Sequence, residues 1–280
     1  MFLYYVDNFA LLDLICKLVI SSLSMTKNLI FVLLSLLVFS CSIEREKEEL
    51  NTDKVPKDTT LSLDLVDDVL QEEPVISELE LKLIEAGLVN VQDVDSTIQV
   101  DVKYASTDNF MGIVLYDGFH KVYLQSEVAE KLSIAQKALK NIDENLTLLV
   151  FDGARPRSVQ QLMWDALDTI PVNERTKFVS NPKNGSIHNY GCAVDLTIAN
   201  VTTGEWLDMG AGYDDIRKIA YPRHEEHYLK LGELTNQHIE NRKLLRKVMK
   251  QGGFWVIQTE WWHFNAYTRD KAKQLFEIIE

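Results

Sequence analysis

The chain has 280 residues, of which 46% are hydrophobic and 25% are charged, as in an ordinary soluble globular protein. Its formal net charge of -13 argues against nucleic acid as a partner, because nucleic acid binds basic surfaces. Its three cysteines are spaced too widely to indicate a disulfide framework. Length alone allows one large domain or two small ones.

The start of the chain has the pattern of a leader sequence. Residues 1–24 are apolar but carry two aspartates, whereas from Met25 a lysine precedes a clean apolar run at 29–39. That run is too short for a membrane span. The motif Val38-Phe39-Ser40-Cys41 resembles the lipobox of bacterial lipoproteins. We therefore expect translation to begin at Met25 and a lipid on Cys41 to anchor the protein in the cell envelope, facing the periplasm. The alternative is a buried or disordered apolar N-terminus.

An acidic segment follows the leader, which we take as residues 1–41. Residues 42–80 contain thirteen Asp or Glu and only four Lys or Arg, with few aromatic residues. Segments of this composition cannot bury enough apolar surface to fold alone. We predict a flexible tether over residues 42–78 and a folded domain over residues 79–280.

Hydrophobic periodicity predicts both strands and helices within that domain. Apolar or alternating runs predict strands at 98–103, 146–151, 193–198 and 254–259. Apolar stripes and capping residues predict helices from Ser126, after Pro156, over 235–250 and after Thr268. These elements follow no steady βαβ rhythm. We therefore expect one α+β domain with a central antiparallel sheet that is flanked by helices and carries the functional site on one face.

The stretch 186–195 holds an imidazole and a carboxylate, those of His188 and Asp195. Asp195 lies in an apolar strand, where a buried carboxylate is costly unless a cation meets it. A second imidazole, that of His263, lies far downstream. Either residue of the stretch alone is readily a loop histidine or a turn carboxylate. Two imidazoles and one carboxylate together, however, are the ligand set of an open catalytic zinc site.

Two further residues have the chemistry that such a site needs. Glu260 lies three residues before His263 and could take a proton from water. In a regular strand these two side chains would face opposite ways, so a shared site requires a kink at Trp261-Trp262. Arg155 follows the strand at 146–151 and could stabilise a developing oxyanion. Pairing with a nearby surface carboxylate is the alternative for Arg155.

Two motifs in order give the sequence a family resemblance. Ser186-x-His188-x-x-Gly191-x-Ala193-x-Asp195, followed by Glu260-x-Trp262-His263, resembles the pattern of zinc D-alanyl-D-alanine peptidases. Three other stretches resemble the dipeptidases of the vancomycin-resistance type, namely Tyr104-Ala105-x-x-x-Asn109-Phe110-x-Gly112, Asp152-x-x-Arg155-Pro156 and Met209-Gly210-x-x-Tyr213-Asp214. The resemblance covers about residues 80 to 280.

The resemblance implies one Zn²⁺ per chain and a small D-amino-acid dipeptide as the substrate. The implied residues are the zinc ligands His188, Asp195 and His263, the catalytic base Glu260, the transition-state stabiliser Arg155, and Asp214 and Ser186 for substrate binding. Asp214 would lie near the free amino group of the substrate. In the turn before Arg155 the family usually has an aromatic residue where this chain has Ala154, which we expect to enlarge the pocket.

Three functions remain open at this point. The first is hydrolysis of D-alanyl-D-alanine, which in an envelope protein would serve turnover or salvage of cell-wall dipeptide. The second is a D,D-carboxypeptidase or endopeptidase that acts on peptidoglycan stem peptides. The third is a non-catalytic cell-wall-binding lipoprotein, which predicts the loss of Glu260 or Arg155, yet both are present.

Overall fold

The two most apolar runs of the domain form its two longest strands, which lie side by side. The computed structural model describes residues 76–280. Its strands are β1 (Val89–Asn90), β2 (Gln99–Val100), β3 (Tyr123–Leu124), β4 (Leu146–Asp152), β5 (Ala193–Asn200), β6 (Trp255–Val256) and β7 (His263–Asn265). Its α-helices are α1 (Glu78–Glu85), α2 (Val91–Val94), α3 (Ser126–Lys140), α4 (Arg157–Ala166), α5 (Glu225–Lys230), α6 (Asn236–Gln251) and α7 (Arg269–Leu275).

Five of these strands form one sheet in the order β2-β4-β5-β7-β6, while β1 and β3 pair separately. The expectation of an antiparallel sheet is wrong at one edge, because β2 runs parallel to β4 and only the other three pairings are antiparallel. The long connection from β2 to β4, which includes α3, returns the chain to the same direction, as a parallel pair requires. The observed domain therefore has a mixed sheet.

Helix α3, predicted to begin at Ser126, packs against β4 and buries its apolar stripe. In α3 the apolar residues Val128, Leu132, Ala135 and Leu139 are all buried. Helix α6 packs against α3 and begins at a capping box in which Thr235 accepts a hydrogen bond from the backbone of His238. Thr268 caps α7 in the same way. The final helix ends at Leu275.

The predicted leader, including Cys41, and residues 42–75 of the predicted tether lie outside the described residues. Ser77 caps α1, the first element within the described residues. The division into leader, tether and domain stays a prediction. Within residues 76–280, no helix is long and apolar enough to cross a membrane.

Candidate metal centre and active-site cleft

The register of the sheet places three polar side chains in one row. Asp195 of β5 pairs with His263 of β7 on one side and with Asp152 of β4 on the other. A register shift between Val150 and Asp152 brings Asp152 into this row. Without it, Asp152 would lie opposite Val194 and face the other side of the sheet, since a bulge changes the face on which later side chains lie.

His188 reaches the same row from a tight turn. A 3₁₀ turn spans His188–Tyr190 and ends at Gly191, which has a φ of 63°. A Cβ at Gly191 would also lie 2.6 Å from the side chain of Leu88, so this position requires glycine. The Nδ1 of His188 lies 2.7 Å from the carbonyl oxygen of Gly153. The Nδ1–H donates to that oxygen and leaves the Nε2 lone pair directed at the row.

The facing atoms of the three predicted ligands lie close together. His263 Nδ1 is 3.0 Å from Asp195 Oδ1, and His188 Nε2 is 3.3 Å from the same oxygen. The Nε2–H of His263 donates to Asn265 Oδ1 at 2.9 Å, so Nδ1 is the nitrogen that faces Asp195 and could bind a metal ion. One ligand atom from each of the three residues lies within 4.8 Å of the others. Two oriented imidazole nitrogens and one carboxylate oxygen fit a zinc ion with an open position.

The charges of the centre also favour a cation. Burial raises the pKa of Asp195, but the adjacent His188 and His263 outweigh burial and hold that pKa well below its usual value. Burial opposes a charge on His263, yet the hydrogen bond and charge of Asp195 raise its pKa to about 9. In the metal-free protein a proton therefore occupies the position that a bound cation would take.

Glu260 reaches the centre through the predicted kink. Strand β6 covers only two of the residues expected at 254–259, and the chain turns before β7 begins at His263. The rings of Trp261 and Trp262 are buried and meet edge to face at 5.5 Å, which holds this turn in place. Glu260 Oε2 lies 3.8 Å from His263 Nδ1, with 36% of the Glu260 side chain exposed. Desolvation raises the pKa of the Glu260 carboxyl.

Arg155 is held by a buried carboxylate and two tyrosines. Its Nε donates to Asp152 Oδ2 at 2.9 Å, and the hydroxyl of Tyr116 donates to the other Asp152 oxygen at the same distance. Its guanidinium lies over the ring of Tyr104 at 5.1 Å and its Nη2 is 3.8 Å from Asp195. The partner of Arg155 is thus inside the site and not at the surface. Sequence reasoning assigned no role to Asp152, because the bulge that turns it inward leaves no sequence signal.

Asp214 lies on the loop between β5 and α5. It is the only non-glycine residue with a positive φ, 59°, within the described residues. The hydroxyl of Tyr104 donates to its Oδ2 at 3.1 Å, and the adjacent Tyr213 donates to Asp195 Oδ2 at 3.3 Å. Burial and the charge of Asp195 raise the pKa of Asp214 well above its usual value. A cationic ligand beside this carboxylate would therefore be strongly favoured.

Ser186 and Ala154 were both expected near the substrate. The Ser186 hydroxyl donates to Gln160 Oε1 at 2.7 Å, so Ser186 can offer a ligand only its acceptor capacity. Ala154 is 3% exposed, packs in the main hydrophobic core and does not itself line the cleft. That it enlarges the pocket relative to an aromatic residue stays a prediction.

The predicted site residues line a cleft of about 680 Å³. All seven predicted residues line it, namely Arg155, Ser186, His188, Asp195, Asp214, Glu260 and His263. Tyr104 and Asn265, for which no role was predicted, line it as well. Apolar side chains such as Phe110, Met163 and Ile257 complete the walls. The cleft can therefore hold a small ligand with both charged and apolar parts.

Comparison with known proteins matches residues 84–280 to the Peptidase_M15 family, described as D-ala-D-ala dipeptidase. The matched range includes every residue of the cleft. The chain belongs to this family. It is therefore a peptidase, and the seven predicted residues all lie in the part of the chain that carries the Peptidase_M15 match.

Curated relatives agree with the family match. The D-alanyl-D-alanine dipeptidase of Escherichia coli is 32% identical over 181 residues, which cover 63% of this chain and 83% of that protein. The dipeptidase of the same name from Streptomyces coelicolor is 31% identical, covering 67% and 95%. The one from Enterococcus faecium is 30% identical, covering 65% and 92%. The Peptidase_M15 region of this chain thus spans most of the length of these relatives.

Proposed function

We propose that this chain is a zinc-dependent dipeptidase that hydrolyses D-alanyl-D-alanine. The observation that carries the proposal is the cleft itself, which gathers seven candidate residues from four separate segments. Three of those residues offer metal-binding atoms within 4.8 Å of one another. Family membership supports peptidase chemistry, and the relatives named above are D-alanyl-D-alanine dipeptidases.

His188, Asp195 and His263 would hold the ion, since their facing atoms are oriented by Gly153 and Asn265. When bound, Zn²⁺ supplies a Lewis acid that polarises a scissile carbonyl and acidifies water. Glu260, Arg155 and Asp214 then have distinct roles in catalysis or substrate binding, which follow from the position and charge of each side chain.

Glu260 is the proton carrier of the proposed reaction. Its carboxylate takes a proton from the attacking water and passes it to the nitrogen of the leaving amine as the amide bond breaks. A carboxyl whose pKa burial has raised serves both steps, because it gains and loses a proton nearer neutral pH. Its partial exposure leaves the carboxylate accessible from the cleft.

Arg155 stabilises the oxygen that becomes negative in the transition state. Asp152 engages its Nε and Nη2, which leaves the donors on Nη1 for the substrate. Preorganised donors of this kind cost no reorganisation when charge develops. Tyr104 and Tyr116 hold the pair of Asp152 and Arg155 in place.

Asp214 recognises the free ammonium group of the dipeptide. Its carboxylate is half-buried beside Tyr104 and lines the cleft that contains the metal centre. A longer peptide would place an uncharged amide there and leave the carboxylate without a cation, which is costly. This argument favours a dipeptide over peptidoglycan stem peptides.

A substrate panel tests the proposal. The zinc-loaded protein is given D-Ala-D-Ala, L-Ala-L-Ala and a stem peptide that ends in D-Ala-D-Ala, and the initial rates are compared. We expect the D,D-dipeptide to be cleaved fastest. Faster cleavage of the stem peptide would indicate a carboxypeptidase instead. If none of the three compounds is cleaved, the proposed activity on these substrates is wrong.

We also propose that Cys41 anchors the protein in the cell envelope, where it would take part in turnover or salvage of cell-wall dipeptide. The support is the sequence motif Val38-Phe39-Ser40-Cys41 after a short apolar run. Cys41→Ser should release the protein from the membrane fraction, whereas Cys192→Ser should not, because that cysteine is buried in the domain. Unchanged membrane association of the Cys41 variant would contradict lipidation.

A further inference from the structure

A buried arginine lies behind the loop that carries Asp214. Arg242 of helix α6 is 1% exposed and does not line the cleft. Its Nε donates to the carbonyl of Met209 at 2.8 Å, and its Nη1 and Nη2 both donate to the carbonyl of Ile219 at 3.1 Å. Those two carbonyls bracket residues 210–218. One rigid guanidinium therefore fixes the distance between the two ends of this loop.

The same face of α6 holds the start of the loop at other points. Asn241 donates to the carbonyl of Asp208 at 2.7 Å. Gly210 has a φ of 72°, and a Cβ there would lie 2.4 Å from the ring of His238. The loop backbone therefore contacts α6 closely where the loop begins, and it is hydrogen-bonded to α6 where the loop ends. We call Asn241 and Arg242 together the α6 clamp.

The loop needs such support because of the conformation at its middle. Asp214 has a left-handed backbone, which disfavours most side chains and persists only where the surroundings impose it. Within the described residues the Asp214 carboxylate has one hydrogen-bond donor, the hydroxyl of Tyr104. Its position in the cleft therefore depends on where the loop ends are held.

The charge of Arg242 is only loosely compensated. Glu225 lies 3.5 Å from its Nη1, while the same carboxylate makes two shorter bonds, of 2.7 and 2.9 Å, to Arg246. A buried cation is not retained for stability alone, since apolar residues of similar volume often serve as well. The bonds that only Arg242 makes are those to the loop carbonyls.

We propose that the α6 clamp is a positioning device that sets the location of Asp214 and so determines the preference for a free amino terminus. This inference rests on the proposed role of Asp214 in binding the ammonium group. Arg242 contacts neither the substrate cleft nor the metal ligands, so it acts through the loop. Arg246 provides a matched control, because it lies one turn along the same helix and shares Glu225 without touching the loop carbonyls.

The test compares D-Ala-D-Ala with N-acetyl-D-Ala-D-Ala on the zinc-loaded full chain. In Arg242→Lys we expect kcat/KM for the free dipeptide to fall about tenfold, mainly through KM, with the acetylated compound little changed. Arg246→Lys should keep the wild-type ratio of the two substrates. A general loss of structure would instead lower both rates together.

The outcomes separate this inference from the proposed function. Equal cleavage of both compounds by the wild type would overturn ammonium recognition by Asp214, and the clamp proposal with it. If the wild type prefers the free dipeptide and a folded Arg242→Lys variant keeps that preference, the clamp proposal alone is overturned. If Arg242→Lys does not fold, Asn241→Ala carries the test. It removes the bond to the Asp208 carbonyl and the bond that Asn241 accepts from Gln237 on the same helix, and it leaves Arg242 in place. We expect Asn241→Ala to lower the ratio of kcat/KM for the free dipeptide to that for the acetylated dipeptide about threefold. An unchanged ratio would overturn the proposal.

Discussion

Replacing Asp214 with asparagine removes the carboxylate that an ammonium group would bind and keeps the size and shape of the side chain. Asparagine tolerates the left-handed backbone found here, and its amide oxygen can still accept the hydrogen bond from Tyr104. The variant therefore isolates the charge-assisted contact to an ammonium group. Such a contact contributes about 1.5–3 kcal/mol. At about 1.4 kcal/mol per tenfold, kcat/KM for D-Ala-D-Ala should fall roughly 10- to 100-fold.

The assay measures kcat/KM for free and N-acetylated D-Ala-D-Ala in the wild type and in Asp214→Asn. The wild type should prefer the free dipeptide, and the variant should lose most of that preference by slowing on the free compound. Asp215→Asn is the matched control, because Asp215 also lines the cleft but its carboxylate is bonded to Arg217. A preference that survives in Asp214→Asn would refute the reasoning, since the ammonium would then be bound elsewhere.

Three further predictions concern the metal centre. Glu260→Gln should keep zinc at full occupancy in metal analysis while lowering kcat by about 10²–10⁴-fold; loss of zinc would make Glu260 a ligand. Arg155→Ala should lower kcat by about 10²–10³-fold with a smaller change in KM, as steady-state kinetics would show. Because Asp195 raises the pKa of His263 to about 9, zinc binding at pH 7 should release about one proton, and affinity should weaken about tenfold per unit as pH falls. Calorimetry in buffers of different ionisation enthalpy measures this release.

Two of the three predicted metal ligands have a local signal in the sequence. His188 and Asp195 lie on one short stretch, and the apolar surroundings of Asp195 already indicated a cationic partner. The kink before His263 could also be predicted, since the side-chain period of a strand cannot put Glu260 and His263 on one face. The structure shows that kink at Trp261 and Trp262.

The parts that the sequence did not predict depend on long-range pairing. The role of Asp152 arises from a register shift against β5, and a bulge in an apolar run leaves no pattern to read. The parallel edge strand β2 depends on a long connection that brings the chain back in the same direction. Arg242 looks like an ordinary polar residue of a helix, and only the fold places the carbonyls of Met209 and Ile219 within its reach.

Zinc titration of the metal-free protein tests the central claim most directly. After exhaustive chelation the chain should not hydrolyse D-Ala-D-Ala, because His188, Asp195 and His263 would then face one another without their cation. Adding zinc should restore activity in proportion to the metal bound, and the rise should stop at one ion per chain. Hydrolysis that persists in the chelated protein, or zinc binding that restores none, would contradict a zinc-dependent dipeptidase.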